Sequence, residues 1–111
     1  MIDAERESQL RAVVDRIVAG YDPEEIILFG SWAWGQPEKD SDFDLFIVKD
    51  DPRRARDRGT EVRGILMKMT PYPLVDVLVY TPAERDRRRE MGDPFVIKIL
   101  EKGRRVYRHE P

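Results

Sequence analysis

The sequence contains no cysteine, and its single histidine, His109, lies among the last few residues. A chain without cysteine forms neither disulfides nor thiolate metal sites, and one histidine argues against a zinc site or a Ser-His-Asp triad. No apolar run is long enough to cross a membrane, and the acidic N-terminal segment does not resemble a secretory signal. We therefore expect no membrane partner and a location in the reducing cytoplasm.

A strongly basic composition is also missing. The net charge is −2, the pI is about 5.5 and no long basic stripe is present, so nucleic acid is not expected as a partner. The 111 residues are 41% hydrophobic and 38% charged. This balance is typical of a heavily charged globular protein with one modest core, and we predict a single domain over residues 1–111.

Helical and strand patterns alternate along the chain. Leu10, Val13, Val14 and Ile17 recur at helical spacing and predict a first helix over roughly residues 3–19. Apolar runs predict strands over residues 25–29, 43–49 and 74–80, and "RRVYR" is either a closing strand or a tail. Capping signals predict further helices after Asp51-Pro52, Thr81-Pro82 and Asp93-Pro94, the first of them weakened by Gly59 and Gly64. This order predicts an α/β (α+β) domain with a small mixed β-sheet and helices packed on one face.

Two aspartates stand at the start of the second predicted strand. Asp42 and Asp44 are separated by one residue, and residues at that spacing project to the same face of a strand. Neighbouring carboxylates repel each other unless a cation lies between them, and their oxygens suit Mg²⁺. In the third strand, Asp76 interrupts the apolar run "PLVDVLVY". If these two strands are neighbours, the three carboxylates converge on one site.

Such a site with one or two Mg²⁺ ions is the usual apparatus of phosphoryl or nucleotidyl transfer, which also requires an anion-binding element. Gly30-Ser31 is the candidate for that element. Glycine lets the backbone approach a phosphate, and the amides that begin the following helical turn point towards it. A simpler alternative is that Ser31 only caps this turn. Likewise, Asp42 and Asp44 suit a turn, and Asp76 suits an ion pair with an arginine.

The combination resembles the minimal nucleotidyltransferases of the DNA polymerase β-like superfamily. Their signature is a Gly-Ser pair followed by Asp-x-Asp, seen here in "GSWAWG" and "SDFDLFIV", and "VDVLVY" resembles their third carboxylate strand. The resemblance covers roughly residues 10–100 and implies a nucleotidyltransferase fold. It also implies Mg²⁺-dependent transfer of a nucleoside monophosphate, with ATP or another NTP as donor, to a hydroxyl group.

The resemblance implies a role for each site residue. Asp42, Asp44 and Asp76 would be the catalytic and metal-binding carboxylates, with Asp76 also helping to deprotonate the acceptor. Gly30 and Ser31 would bind the β- and γ-phosphates of the nucleotide. Many relatives of this size are antitoxins of HEPN-domain toxins, and some transfer AMP to a tyrosine of the toxin. The expected partner is therefore a HEPN-domain protein, another copy of this chain, or both.

One residue departs from the family motif, which usually reads Gly-Ser-x-Ala-Arg-Gly. Trp34 stands where the arginine is expected, so a cation near the triphosphate is lost. We expect Trp34 to pack in the core, although stacking on a base or contact with a partner are alternatives.

Three functions follow from these patterns. The first is an active nucleotidyltransferase that modifies a partner protein. The second is a non-catalytic antitoxin that neutralises its partner by contact through Trp32, Trp34 and the amphipathic helices, with a vestigial nucleotide site. The third is transfer to a small molecule, for which relatives usually carry a second domain that 111 residues do not accommodate.

Overall fold

A four-stranded sheet forms the centre of the computed structural model, which describes residues 2–38 and 41–110. The strands are β1 (Glu25–Phe29), β2 (Phe43–Val48), β3 (Val75–Tyr80) and β4 (Arg104–Arg108). Their order across the sheet is β3-β2-β1-β4. The pairs β1–β2 and β1–β4 are antiparallel and β2–β3 is parallel. The predicted small mixed sheet is therefore confirmed, and "RRVYR" is an edge strand.

Five helices accompany this sheet in the described part of the chain. They are α1 (Ala4–Tyr21), α2 (Ser31–Trp34), α3 (Ala55–Leu66), α4 (Pro82–Glu90) and α5 (Pro94–Lys102). The N-terminal ends of α4 and α5 are capped by Thr81 and Asp93, as their sequences predict. Helix α1 extends beyond Gly20 because Asp22 takes the left-handed conformation, with φ 51°, that ends it.

The larger core lies between one face of the sheet and the helices α1 and α3. It consists of alternate strand residues and the inward residues of both helices: Leu10, Val13, Val14, Ile17, Tyr21, Ile26, Leu28, Phe43, Leu45, Ile47, Val62, Leu66, Val77 and Val79. The intervening strand residues point to the opposite face, which we call the second face. There Ile27, Phe29, Phe46 and Val48 pack with Ile99 of α5. The second face therefore has a smaller core of its own, beyond the packing on one face that the sequence predicted.

The start of α3 differs from the prediction. Asp51 does not cap this helix, which begins only at Ala55 after Arg54. The Asp51 side chain is instead buried and accepts a hydrogen bond from the Tyr21 hydroxyl at 2.8 Å. Helix α3 also runs unbroken through Gly59 and Gly64, because Val62 and Leu66 are buried against the core. Tertiary contacts thus override the local signals here.

Among the described residues, no helix has both the length and the apolar character needed to span a membrane.

Candidate active site

Three strand ends meet at one end of the sheet. Phe29, the last residue of β1, pairs with Asp44 of β2, and Asp44 pairs with Asp76 of the parallel strand β3. Strands β2 and β3 are therefore neighbours, as convergence of the carboxylates requires. Since Gly30-Ser31 directly follows β1 and Asp42 directly precedes β2, all five candidate site residues lie at this end of the sheet.

The three aspartates belong to the second face. Phe43 and Leu45 point into the larger core, so the alternate residues Asp42 and Asp44 project to the opposite side. Asp44 is half-buried, whereas Asp42 and Asp76 are exposed. Asp76 is exposed although it interrupts an apolar run, because β3 is an edge strand that is buried on one face only.

The ion-pair alternative for Asp76 finds no support. The ion pairs of residues 2–38 and 41–110 all join arginines to other carboxylates. Asp76 thus remains on the exposed side of the sheet, in register with Asp44.

The charge of Asp44 is disfavoured by its surroundings. The pKa of Asp44 is raised above its usual value, first because burial disfavours the charged carboxylate and then because Asp76 and Asp42 repel it. A cation bound among these oxygens would relieve this repulsion, and carboxylate oxygens are the ligands that Mg²⁺ prefers. In charge and ligand type, the donor set therefore suits a divalent cation. In the described ranges, however, no three histidine, cysteine, aspartate or glutamate side chains are grouped closely enough to hold a metal ion.

Gly30 lies directly against the carboxylate of Asp44. Its backbone has a φ of 73°, a conformation that favours glycine, and a β-carbon at this position would collide with Asp44 Oδ2. The turn that follows β1 is therefore in contact with the acidic cluster. Any side chain at position 30 would displace the Asp44 carboxylate.

Ser31 does not act as a cap. It is the first residue of α2, the N-cap is Gly30, and no side chain caps the helix. The prediction that the Ser31 side chain caps this turn is therefore wrong, although Gly30 of the pair occupies the N-cap position. The half-buried Ser31 lies beside Gly30 at the acidic end of the sheet.

Trp34 packs on the second face, as expected. Its ring centroid lies 6.3 Å from that of Phe29, the strand residue that pairs with Asp44. Lys98 of α5 places its Nζ atom 4.6 Å from the centroid of the Trp34 ring, within the range of a cation–π interaction. A cation is thus present beside this turn although the arginine of the motif is missing. No sequence pattern pointed to Lys98.

Two further residues contact the segment that leads into β2, in a role that no sequence pattern predicted. The Arg6 guanidinium and the Trp32 indole both donate hydrogen bonds to the backbone carbonyl of Ser41, at 2.7 Å and 2.8 Å. Ser41 immediately precedes Asp42, so these contacts adjoin the acidic cluster.

Comparison with known proteins agrees with this geometry. The family model of the nucleotidyltransferase domain matches residues 7–108. The chain belongs to the nucleotidyltransferase domain family. Membership makes nucleotidyl transfer its activity class, and domains of this family generally use divalent metals.

A solved structure shares the nucleotidyltransferase fold. A candidate nucleotidyltransferase from Sulfolobus solfataricus superimposes with a TM-score of 0.64 at 21% sequence identity. The match covers 98% of this chain and 91% of that one, so the likeness extends over nearly the whole length of both chains. No protein of curated function shows significant similarity to the sequence.

Proposed function

We propose that this nucleotidyltransferase domain transfers AMP from ATP to a hydroxyl group on a partner protein, with Asp42, Asp44 and Asp76 holding Mg²⁺. The main support is the contact of Gly30 with the Asp44 carboxylate, since it joins the proposed phosphate-binding turn to the acidic cluster. Family membership supplies the reaction class. The compartment we propose is the cytoplasm, which supplies ATP.

The proposed reaction is a substitution at phosphorus. The acceptor oxygen attacks the α-phosphorus of ATP, and the bond from that phosphorus to the oxygen bridging the β-phosphate breaks. The products are an AMP ester and pyrophosphate, and we assign the acceptor proton to Asp76, an exposed carboxylate in register with Asp44. One or two bound Mg²⁺ ions would neutralise the triphosphate and acidify the attacking hydroxyl.

Gly30 and Ser31 bind the β- and γ-phosphates in this proposal. Gly30 has no side chain, so the phosphates can lie against its backbone. The Ser31 hydroxyl carries a proton that it can donate to a phosphate oxygen, and its side chain is not held in a cap of α2. The half-buried Asp44 is the proposed metal ligand beside this turn, and the absence of a side chain at Gly30 leaves room for its carboxylate.

The acceptor that we propose is a HEPN-domain toxin, for which this chain acts as antitoxin, alone or as a homo-oligomer. The resemblance to minimal nucleotidyltransferases motivates this partner. Exposed apolar side chains lie in the segment before β3, the strand that carries Asp76, with Met67, Tyr72 and Leu74 exposed by 68%, 53% and 57%. Such side chains suit contact with a protein.

Neutralisation by contact alone is the second candidate. It was expected to rely on Trp32 and Trp34, but both are half-buried and pack against the two cores. The exposed residues before β3 are the observation that still favours it.

An assay with ATP labelled at the α-phosphate separates these functions. Wild type, the product of the neighbouring gene and Mg²⁺ should yield a labelled partner protein, and Asp42→Ala with Asp44→Ala should abolish the label. Asp50→Asn is the matched control, because Asp50 is exposed and lies beyond the other end of β2. If no label is transferred and the double variant still neutralises the partner, the contact function stands and the enzymatic one is lost.

A further inference from the structure

The carbonyl of Ser41 is held by side chains from two separate helices. Arg6 of α1 donates through Nη2 at 2.7 Å, and Trp32 of α2 donates through Nε1 at 2.8 Å. Ser41 is also bonded within its own turn, because its amide donates to the Glu38 carbonyl at 3.0 Å and its hydroxyl accepts from the Glu38 amide at 2.8 Å. Four hydrogen bonds therefore hold Ser41, two of them at its carbonyl.

The two donors are themselves held in place by aromatic packing. The Arg6 guanidinium carbon lies 4.9 Å from the centroid of the Trp32 ring and 4.5 Å from that of Phe43. The Trp32 and Phe43 rings lie 5.7 Å apart at an angle of 50°. A planar guanidinium stacked on aromatic rings has few alternative positions. Arg6 Nη1 is also occupied, by Gln9 at 2.6 Å.

These contacts connect the two halves of the candidate site. Trp32 follows Ser31 in the chain, while Ser41 precedes Asp42, so the bond between them spans nine residues. It closes the loop that separates the proposed phosphate-binding pair from the first carboxylate. On the other side of Asp42, the Phe43 amide donates to the Leu74 carbonyl at 3.1 Å. The backbone is therefore fixed immediately before and immediately after Asp42.

We propose that Arg6 and Trp32 are positioning residues, which act through the Ser41 carbonyl to hold Asp42 at a fixed distance from Ser31 and from Asp44. This inference rests on the proposed function, because it concerns the metal-binding role of Asp42. A ligand displaced by about 1 Å costs a site much of its affinity or rate. Outer residues that orient a metal ligand are typically worth about 10–100-fold in affinity or activity.

Two variants remove the donors with little change in packing. Trp32→Phe loses the indole N–H but keeps an aromatic ring against Phe43, and Arg6→Met loses the guanidinium but keeps a long apolar stem. Arg6→Lys restores one donor. The matched control is Arg11→Met, because Arg11 is an exposed arginine of the same helix. Melting temperatures within about 5 °C of wild type would show that a variant folds. If one variant does not fold, the other decides the outcome.

The first measurement is Mn²⁺ binding by the full chain, followed by electron paramagnetic resonance of the free ion. We expect Trp32→Phe and Arg6→Met to weaken binding by about tenfold, Arg6→Lys to recover part of the loss, and Arg11→Met to bind like wild type. The loss should disappear in an Asp42→Asn background, because both residues act through Asp42. A second, metal-free measurement is hydrogen–deuterium exchange, which should rise in the peptide containing Ser41 and Asp42 and stay unchanged in β1.

The outcomes separate this proposal from the proposed function. If wild type binds Mn²⁺ and transfers label but the variants bind equally well, the positioning role is wrong and the function stands. The positioning role is also wrong if the variants lose as much Mn²⁺ affinity in the Asp42→Asn background as in wild type, because the loss would then not act through Asp42. If wild type binds no Mn²⁺, the metal site of the proposed function fails, and the positioning role fails with it.

Discussion

Asp44 and Asp76 stand opposite each other across the only parallel strand pair among the described residues, with Asp42 close enough to act on the charge of Asp44. Half-burial and two neighbouring negative charges raise the pKa of Asp44. Repulsion of this kind destabilises the folded chain unless a cation compensates for it. The acidic cluster therefore opposes folding, whereas in the proposed function it binds the metal, and such a conflict is common in active sites.

Replacing Asp44 with asparagine tests this conflict. We expect Asp44→Asn to raise the melting temperature of the metal-free protein at neutral pH by a few degrees, and to abolish nucleotidyl transfer. Added Mn²⁺ should stabilise wild type but not the variant, because a ligand raises stability only where it binds the folded state. Asp50→Asn, at an exposed position, is the control and should change neither property. A variant that melts below wild type without metal would contradict the interpretation.

Gly30 makes a second prediction possible, because its β-carbon would collide with Asp44. We expect Gly30→Ala to cost about 2 kcal/mol or more of unfolding free energy, from its positive φ and the clash, and to remove activity. Gly64→Ala is the matched control: its β-carbon meets no atom within 4 Å in the exposed part of α3. That change should stabilise the chain by about 0.5–1 kcal/mol and leave activity intact. Denaturant titration measures the unfolding free energy, and a transfer assay measures the activity. If Gly30→Ala and Gly64→Ala had the same stability and activity, the role of Gly30 would be refuted.

The network around Asp51 predicts a pH dependence of stability. Asp51 is buried, and Arg53 and the Tyr21 hydroxyl donate hydrogen bonds to it, which hold the pKa of this carboxyl well below its usual value. A carboxyl whose pKa is lowered by folding stabilises the protein above its unfolded pKa, near 3.9, and loses that contribution as the pH falls towards the folded pKa. We expect Asp51→Asn to cost about 1–3 kcal/mol at pH 7 and progressively less below about pH 4.

Urea titrations of wild type and Asp51→Asn between pH 7 and pH 2.5 would measure this difference. Tyr21→Phe serves as a companion variant that removes one of the two partners, and it should cost about 1 kcal/mol at pH 7. A stability difference that stays constant over the whole pH range would show that Asp51 does not contribute through its charge.

Local patterns predicted those elements whose residues carry their own signals. The strands β1, β2 and β3, the capping of α4 by Thr81 and the position of Asp42, Asp44 and Asp76 at one end of the sheet follow from apolar patterns, capping signals and strand adjacency. The failures depend on distant partners. The sequence around Asp51 predicts a helix cap, yet its carboxylate accepts hydrogen bonds from Arg53 and from Tyr21, which lies 30 residues earlier in the chain.

Several contacts around the site join residues that are far apart in the sequence, which is why sequence patterns did not predict them. Arg6 reaches Ser41 over 35 residues, and no spacing rule joins an N-terminal helix to a loop carbonyl. Lys98 reaches Trp34 only because α5 packs on the second face, a placement that the sequence order did not predict. The motif could be identified from its residue types, whereas the residues that contact it could be identified only from the structure.

The contact between Trp34 and Lys98 explains why the arginine of the family motif is not simply interchangeable with tryptophan here. An arginine at position 34 would lose the packing on Phe29 and bring a second positive charge close to Lys98 Nζ, which lies 4.6 Å from the present ring centroid. We expect Trp34→Arg to cost about 1–3 kcal/mol of unfolding free energy.

Removing the lysine provides the decisive comparison. In the wild-type background Lys98→Met should cost about 0.5–1 kcal/mol, the usual worth of an exposed cation–π pair. In the Trp34→Arg background the same change should stabilise the protein, because it removes a like charge instead of an attractive partner. Chemical denaturation of the four proteins gives the coupling energy, which should be at least about 1 kcal/mol. Trp34→Phe keeps an aromatic ring under Lys98. In that background Lys98→Met should therefore cost nearly as much as it does in wild type. If Lys98→Met has the same effect in both backgrounds, the two residues are independent, and Lys98 is not the reason that tryptophan occupies position 34.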